Sequence, residues 1–202
     1  SMWISSNLLN GKLSISGSYG VAMDSLTGTG LNSYASYPTV AYQLLECAKQ
    51  CYEGLEMEME GQNGTISQEI LVCTILRSIT TVVETIGKDF QDEVIDYIYI
   101  IIENLASSSM LIREFSKRSA IVLANILYHN SISDMITQNT DYIIDAVSIK
   151  LASGMTQRVS VVLMVICKLA GYEAIRSFKD VIETLFKMLD FYHGYSDLCI
   201  QF

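Results

Sequence analysis

Apolar residues recur at helical spacing along the chain from Thr39 onward. Recurrence at positions i, i+3, i+4 and i+7 is typical of amphipathic α-helices, whose apolar stripe faces a core. The only proline is Pro38, so almost nothing interrupts helices after it. The pattern predicts helices that span about 39–56, 66–86, 89–105, 110–129, 139–152, 156–170 and 177–189.

Capping signals mark the ends of several of these helices. Thr65 and Gln68 form a capping box for the second helix, and Gly87 follows the last apolar residue of that helix. We expect Asp89 to cap the third helix, and the three serines at 107–109 to end it.

The segment 139–152 has two opposite faces, and a short polar lead-in at 131–138 precedes it. The predicted core positions of this helix are Ile143, Ile144, Val147 and Leu151. The polar positions on the other side are Asp141, Asp145 and Ser148. The last helix starts with a capping box of Ser177 and Asp180. Its predicted core positions include Val181, Ile182 and Leu185.

The helices are organised as a repeat. Predicted helix pairs begin near residues 66, 110 and 156, at intervals within the roughly 40–47 residues of HEAT and armadillo units. No single pair can bury its apolar face, so pairs must stack. The helix around 159–170 is apolar nearly all round, as expected in the middle of a stack. The sequence therefore predicts an all-α fold, an α-solenoid of stacked antiparallel helix pairs over residues 39–202; a compact helical bundle is the alternative.

The first 38 residues differ from the rest. Positions 3–37 mix Gly, Ser, Thr, Asn and Tyr without a sustained period, a composition typical of flexible segments. We expect residues 1–38 to be loosely ordered, with Ser1 and Met2 the remnant of a cleaved tag.

Charge and hydropathy narrow the classes of partner. The 202-residue chain has a formal net charge of −9, whereas binding to nucleic-acid phosphates or anionic lipid needs clustered Lys and Arg. The longest apolar runs, near Ile98–Ile102 and Val161–Cys167, are shorter than the roughly 20 residues that span a bilayer. We expect neither nucleic acid nor membrane as a direct partner.

Residues with catalytic or metal-binding chemistry are sparse. Cys47 and Cys51 lie four apart, but no further Cys or His pair completes a zinc site, so we expect all five cysteines to be reduced and free of metal. Both histidines, His129 and His193, fall at predicted helix ends, where the helix dipole accounts for them. The composition indicates no catalytic residues, no cofactor and no small-molecule ligand.

The segment from Asn139 to His193 resembles the Tel-two-interacting protein one family. The helix at 139–151 carries that family's pattern of Asp-Tyr, two aliphatic residues, a polar residue and then aliphatic-Ser-aliphatic-x-Leu. The apolar helix at 159–170 and the run 178–185 continuing to Leu189-Asp190 extend the likeness. Position 145, where the family pattern has an amide, is Asp145.

The resemblance implies a fragment of a longer, non-catalytic HEAT-repeat scaffold. Its family works in the TTT co-chaperone complex with Tel-two and Tti-two type subunits. That complex acts with Hsp90 in the maturation of phosphatidylinositol-3-kinase-related kinases, in cytoplasm and nucleus. A helical-repeat adaptor for transport cargo is the alternative function. Asp141, Asp145 and Ser148 are then candidates for a partner-facing ridge, or simply a solvated side of the helix.

Overall fold

The computed structural model describes residues 2, 5, 37–59, 65–152, 157–179, 182–183 and 187. Its helices are α1 Tyr37–Met59, α2 Ile66–Ile86, α3 Val94–Leu105, α4 Met110–Leu127, α5 Ile132–Gln138, α6 Thr140–Ala152 and α7 Gln157–Ser177. A 3-10 helix, Gly87–Glu93, joins α2 to α3. The described part of the chain contains no strand, and the all-α prediction is confirmed. The predicted loose segment at 1–38 lies almost entirely outside the described residues.

The chain divides into two compact units, Ser1–Asp92 and Glu93–Phe202. In the first unit, α1 packs against α2. The predicted capping box is present on α2: Thr65 accepts a hydrogen bond from the Gln68 backbone, and the Gln68 side chain accepts one from the Thr65 N–H at 2.7 Å. Gly87 ends the helix in the left-handed region, with φ 61°, where a Cβ would be strained. These two ends confirm the predicted bounds of α2.

Buried hydroxyls line the middle of α2 because each finds an acceptor one turn back. Thr80 donates to the Leu76 carbonyl and Ser78 to the Thr74 carbonyl, both at 2.8 Å. Such bonds satisfy the hydroxyl inside the helix itself, so these polar residues pack in a core at little cost. Around them the apolar stripe is buried, with Val72, Leu76, Ile79 and Val83 among its members.

The start of α3 differs from the prediction. Asp89 does not cap it: this residue lies within the 3-10 helix, and α3 begins at Val94 after Glu93, whose side chain makes no capping bond. The chain enters α3 directly from a helical turn, so the extended N-cap conformation that Asp favours never arises.

In the second unit, α3 packs against α4, α6 and α7. Four residues connect α3 to α4, a length typical of antiparallel neighbours. The buried Ser116 hydroxyl donates to the Ile101 carbonyl across the pair. Ser107–Ser109 separate the two helices as predicted.

The most enclosed helix of this unit is α3 rather than the apolar helix α7. Glu103, a charged residue of α3, is only 3% exposed. By contrast, Met164 in the middle of α7 is 50% exposed. The expectation that α7 is enclosed all round was wrong at Met164, because packing against α3, α5 and α6 leaves this side of α7 in solvent.

The segment 131–138, predicted to be a polar lead-in, is the short helix α5. His129 and Asn130 turn the chain with φ of 51° and 67°, and Ser131 accepts a bond from the Asp134 N–H to cap the new helix. Met135 and Ile136 are fully buried. Three apolar residues, Ile132, Met135 and Ile136, have helical spacing, but a seven-residue segment is too short to be a stable helix alone. Packing against α7 supplies the missing stability.

Helix α7 is kinked at Gly171, whose φ of 72° and ψ of 179° are not helical. Ala170 directly precedes the kink. The Ser133 hydroxyl of α5 donates to the Ala170 carbonyl at 2.9 Å. Helices α5 and α7 are thereby joined at the kink as well as through their packing.

By length and composition alone, the stretch Ile66–Leu105 could cross a membrane. Polar residues are spread through it, so no uninterrupted apolar run marks it in the sequence. In this structure 56% of its most apolar window is buried inside the protein. The 3-10 helix with exposed Lys88, Asp89 and Asp92 interrupts the stretch. Core helices of folded domains have the same length and composition.

The repeat starts agree with the sequence: helices begin at Ile66, Met110 and Gln157. Within each unit, helices that follow one another along the chain pack together. Paired packing of this kind is the basic feature of an α-solenoid.

Candidate protein-binding face on helix α6

Helix α6 is held on three sides within its unit, by α3, α5 and α7. Its direction is set where it follows α5. The buried Asn139 amide donates from Nδ2 to the Tyr128 hydroxyl at 2.8 Å and to the Met135 carbonyl at 2.7 Å. Thr140, also buried, donates to the Ile136 carbonyl at 3.0 Å. These bonds satisfy the polar groups of a tight helix-to-helix corner that is closed to solvent.

One side of α6 belongs to the core of the unit. Ile143, Val147 and Leu151 are buried. They fall on one narrow stripe because successive residues turn by about 100° around the helix axis. Ile144, predicted to share this stripe, lies at its edge and is only partly buried.

The opposite side of α6 is open. Asp141, Asp145 and Ser148 are all exposed and share one line of the helix. Beside that line are two large apolar side chains, Tyr142 at 43% and Ile149 at 69% exposure. These five residues are called the α6 face. The sequence pattern identified its polar half and missed its apolar half, because Tyr142 and Ile149 cannot be told from core residues by composition.

The remaining predicted core positions fall on the last part of the chain. Ile182 is partly buried, and its N–H donates to the Phe178 carbonyl at 2.9 Å. Val181 and Leu185 lie outside the described residues, as do Asp180 and His193. A binding role for Asp141, Asp145 and Ser148 stays a prediction.

Two local electrostatic effects act on Asp141 and Asp145, and they oppose each other. Carboxylates four residues apart on a helix repel by about 0.2–0.5 kcal/mol when exposed. Asp141 lies in the first turn of α6, where the positive end of the helix dipole offsets part of that repulsion. Among the described residues, neither carboxylate forms a salt bridge. The charge on the α6 face therefore remains available to a partner.

The remaining candidates for metal binding and for nucleophilic chemistry lie elsewhere in the described chain. No group of three or more His, Cys, Asp or Glu residues there could hold a metal ion. Cys47, Cys51, Cys73 and Cys167 are free thiols, and Cys199 lies outside the described residues. Burial raises the pKa of the Cys73 and Cys167 thiols, with Glu69 adding to the effect at Cys73. His129 is exposed in the turn after α4. The absence of catalysis stays a prediction.

Comparison with known proteins covers nearly the whole chain. A family model described as the second TPR domain of yeast TEL2-interacting protein 1 matches residues 1–96. A second, described as TELO2-interacting protein 1, matches residues 98–186. The two matches meet near the boundary between the compact units. TPR units, like the HEAT units expected from the helix spacing, are repeated helix pairs.

Whole-sequence comparison shows similarity to proteins of yeast and mouse. The chain is 52% identical to TEL2-interacting protein 1 of Saccharomyces cerevisiae over 79% of its length, and covers 15% of that protein. It is 26% identical to the TELO2-interacting protein 1 homolog of Mus musculus over 40% of its length, which is 7% of the mouse protein. No solved structure matches. On these matches, the chain belongs to the TEL2-interacting protein 1 family.

Proposed function

We propose that this chain is a segment of a non-catalytic scaffold that binds a TEL2-type subunit, and that the α6 face is one of its contact surfaces. The name of the relatives, TEL2-interacting protein 1, supports the class of partner. The single observation that carries the choice of surface is the exposure of Tyr142 and Ile149 beside Asp141 and Asp145.

The physical reasoning starts from the core of a protein–protein interface. Such cores are enriched in aromatic and apolar side chains, while charges at the rim guide association and select the partner. Tyr142 offers a rigid ring with a polar tip, and Ile149 offers an aliphatic surface about two turns further along the helix. Asp141 and Asp145 form an acidic border on the same face. The α6 face combines both components on a helix whose other side is anchored in the core.

The finer proposal follows the family resemblance. In the full-length protein the segment would take part in a TTT-type complex with Tel-two and Tti-two type subunits, and with Hsp90 would assist phosphatidylinositol-3-kinase-related kinases. We propose cytoplasm and nucleus as the places of action. The chain spans 15% of the length of the yeast relative, so this proposal concerns one segment of such a protein.

The test uses the full-length protein co-expressed with its TEL2-type subunit, and measures affinity by biolayer interferometry. Combined replacement Asp141→Asn and Asp145→Asn should weaken binding on the order of tenfold, about 1.4 kcal/mol. The double variant Asp89→Asn and Asp92→Asn removes two exposed charges of the 3-10 helix and serves as the matched control.

Two results would count against the surface. Equal loss in both double variants would mean that net charge, and not the α6 face, governs binding. Unchanged affinity in the Asp141→Asn, Asp145→Asn variant, and again after Tyr142→Ala, would leave the aspartates as a solvated side of the helix. Absence of any complex in the parent protein would refute the scaffold function itself.

A further inference from the structure

Two thiols face each other on α1, in the first compact unit, remote in sequence from the α6 face. Cys47 and Cys51 lie one turn apart, both partly buried, at the border between the core of the helix pair and solvent. Burial, with the neighbouring Cys47 adding to the effect, raises the pKa of the Cys51 thiol. Positions four apart on a helix are neighbours on one face, so the two thiols lie side by side on α1.

The approach to this pair is open. Gly54 follows Cys51 by three residues and Cys47 by seven, which places it on the same line of the helix. It is exposed, and a Cβ built on it would meet nothing within 4 Å. A helix-interior position occupied by glycine thus leaves the thiols uncovered on their C-terminal side.

Helix geometry prevents the pair from closing as a disulfide. Positions i and i+4 have Cβ atoms about 5–6 Å apart, whereas a disulfide needs about 3.5–4.5 Å. A metal ion between the two sulfurs makes a longer bridge. Two thiolate–metal bonds of about 2.3 Å, the value for zinc, allow the sulfurs to be up to about 4.6 Å apart. In a disulfide the sulfurs are only about 2.05 Å apart. The spacing suits a metal bridge and not a direct bond.

The number of ligands selects the ion. Structural zinc takes four ligands, and no third Cys, His, Asp or Glu joins this pair among the described residues. Monovalent copper prefers soft thiolates and is stable with two of them. We propose that Cys47 and Cys51 form a two-thiolate site for a soft, thiophilic ion of low coordination number, monovalent copper being the physiological example.

Binding is an exchange of protons for the ion. Each S–H bond breaks, each sulfur forms one bond to copper, and two protons pass to solvent. Copper remains monovalent throughout, so no oxidant or reductant takes part. The proposal departs at these two positions from the expectation of five metal-free thiols, because both thiols lie on one partly exposed face of α1.

The test titrates the full chain with monovalent copper under nitrogen, in competition with the chromogenic chelator bathocuproine disulfonate. The parent should bind one copper per chain. Cys47→Ser and Cys51→Ser should each lose about 100-fold or more in affinity, since the second thiolate binds intramolecularly. Cys167→Ser removes a partly buried thiol of the second unit and should bind as the parent does.

A second measurement needs no variant. Phenylarsine oxide, a reagent for paired thiols, should add once to the parent and protect Cys47 and Cys51 from alkylation, as mapped by mass spectrometry. Protection of a different pair, or parent-like copper affinity in either single serine variant with an unchanged circular-dichroism spectrum, would overturn the proposal. Failure of the parent to compete with the chelator would overturn it as well.

Discussion

The corner between α5 and α6 provides a quantitative test of how the α6 face is positioned. Tyr128 is 1% exposed, and its hydroxyl accepts one of the two N–H bonds of the Asn139 amide. Tyr128→Phe leaves that N–H buried without its acceptor. An unsatisfied buried donor costs about 1–3 kcal/mol, so we expect the free energy of unfolding to fall by about that amount.

Asn139→Ala should cost more, about 2–4 kcal/mol, since it also deprives the Met135 carbonyl of its bond from Nδ2. Tyr128 has further interactions in the core, so single variants do not isolate the hydrogen bond. The double variant does. Once Asn139 is removed, the hydroxyl of Tyr128 has lost this donor, and the two costs should overlap by about 1 kcal/mol.

The assay is urea unfolding of the full chain followed by far-ultraviolet circular dichroism, with the midpoint and slope compared among variants. Tyr142→Phe removes a hydroxyl from an exposed tyrosine and should stay within about 0.5 kcal/mol of the parent. The coupling would be refuted if the cost of the double variant equalled the sum of the Tyr128→Phe and Asn139→Ala costs to within about 0.3 kcal/mol. The hydrogen bond would then have no role in holding the corner.

Three further changes probe other parts of the fold. Gly54→Ala should raise the unfolding free energy by about 0.5–1 kcal/mol, since the position is helical and open. Gly87→Ala, at φ 61°, should lower it by about 1–2 kcal/mol. Thermal melts in which both variants shift in the same direction would contradict this argument from backbone conformation. Val147→Asp should lower the unfolding free energy by several kcal/mol because it buries an unpaired charge. Ile149→Asp, on the exposed side, should change it by less than about 0.5 kcal/mol. Similar melting temperatures for the two variants would mean that the buried and exposed sides of α6 are wrongly assigned. Ser133→Ala removes the hydrogen bond to the Ala170 carbonyl and should lower the unfolding free energy by about 1 kcal/mol. Amide hydrogen exchange near the α7 kink should then be faster. Unchanged exchange would show that the kink does not depend on this bond.

Local signals determined the helix boundaries. The capping box at Thr65 and the glycine stop at Gly87 act within one turn of the chain, so the residues themselves decide where α2 begins and ends. The core side of α6 also follows from sequence, because a period of 3.6 residues leaves only one narrow apolar stripe at Ile143, Val147 and Leu151. The prediction that Asp89 caps α3 was wrong because Asp89 lies inside a 3-10 helix, where the extended N-cap conformation does not occur.

Tertiary structure decided which sides of the helices are covered. Periodicity assigns residues to a face, but burial depends on how many neighbouring helices pack there. Helices α3 and α7 each pack against three helices of the unit, yet Glu103 lies on a covered side of α3 and Met164 on an exposed side of α7. Tyr142 and Ile149 look like core residues by hydropathy alone. Only the packing of α6 against α3, α5 and α7 leaves them in solvent beside Asp141 and Asp145, which turns a polar stripe into a face suited to binding a protein.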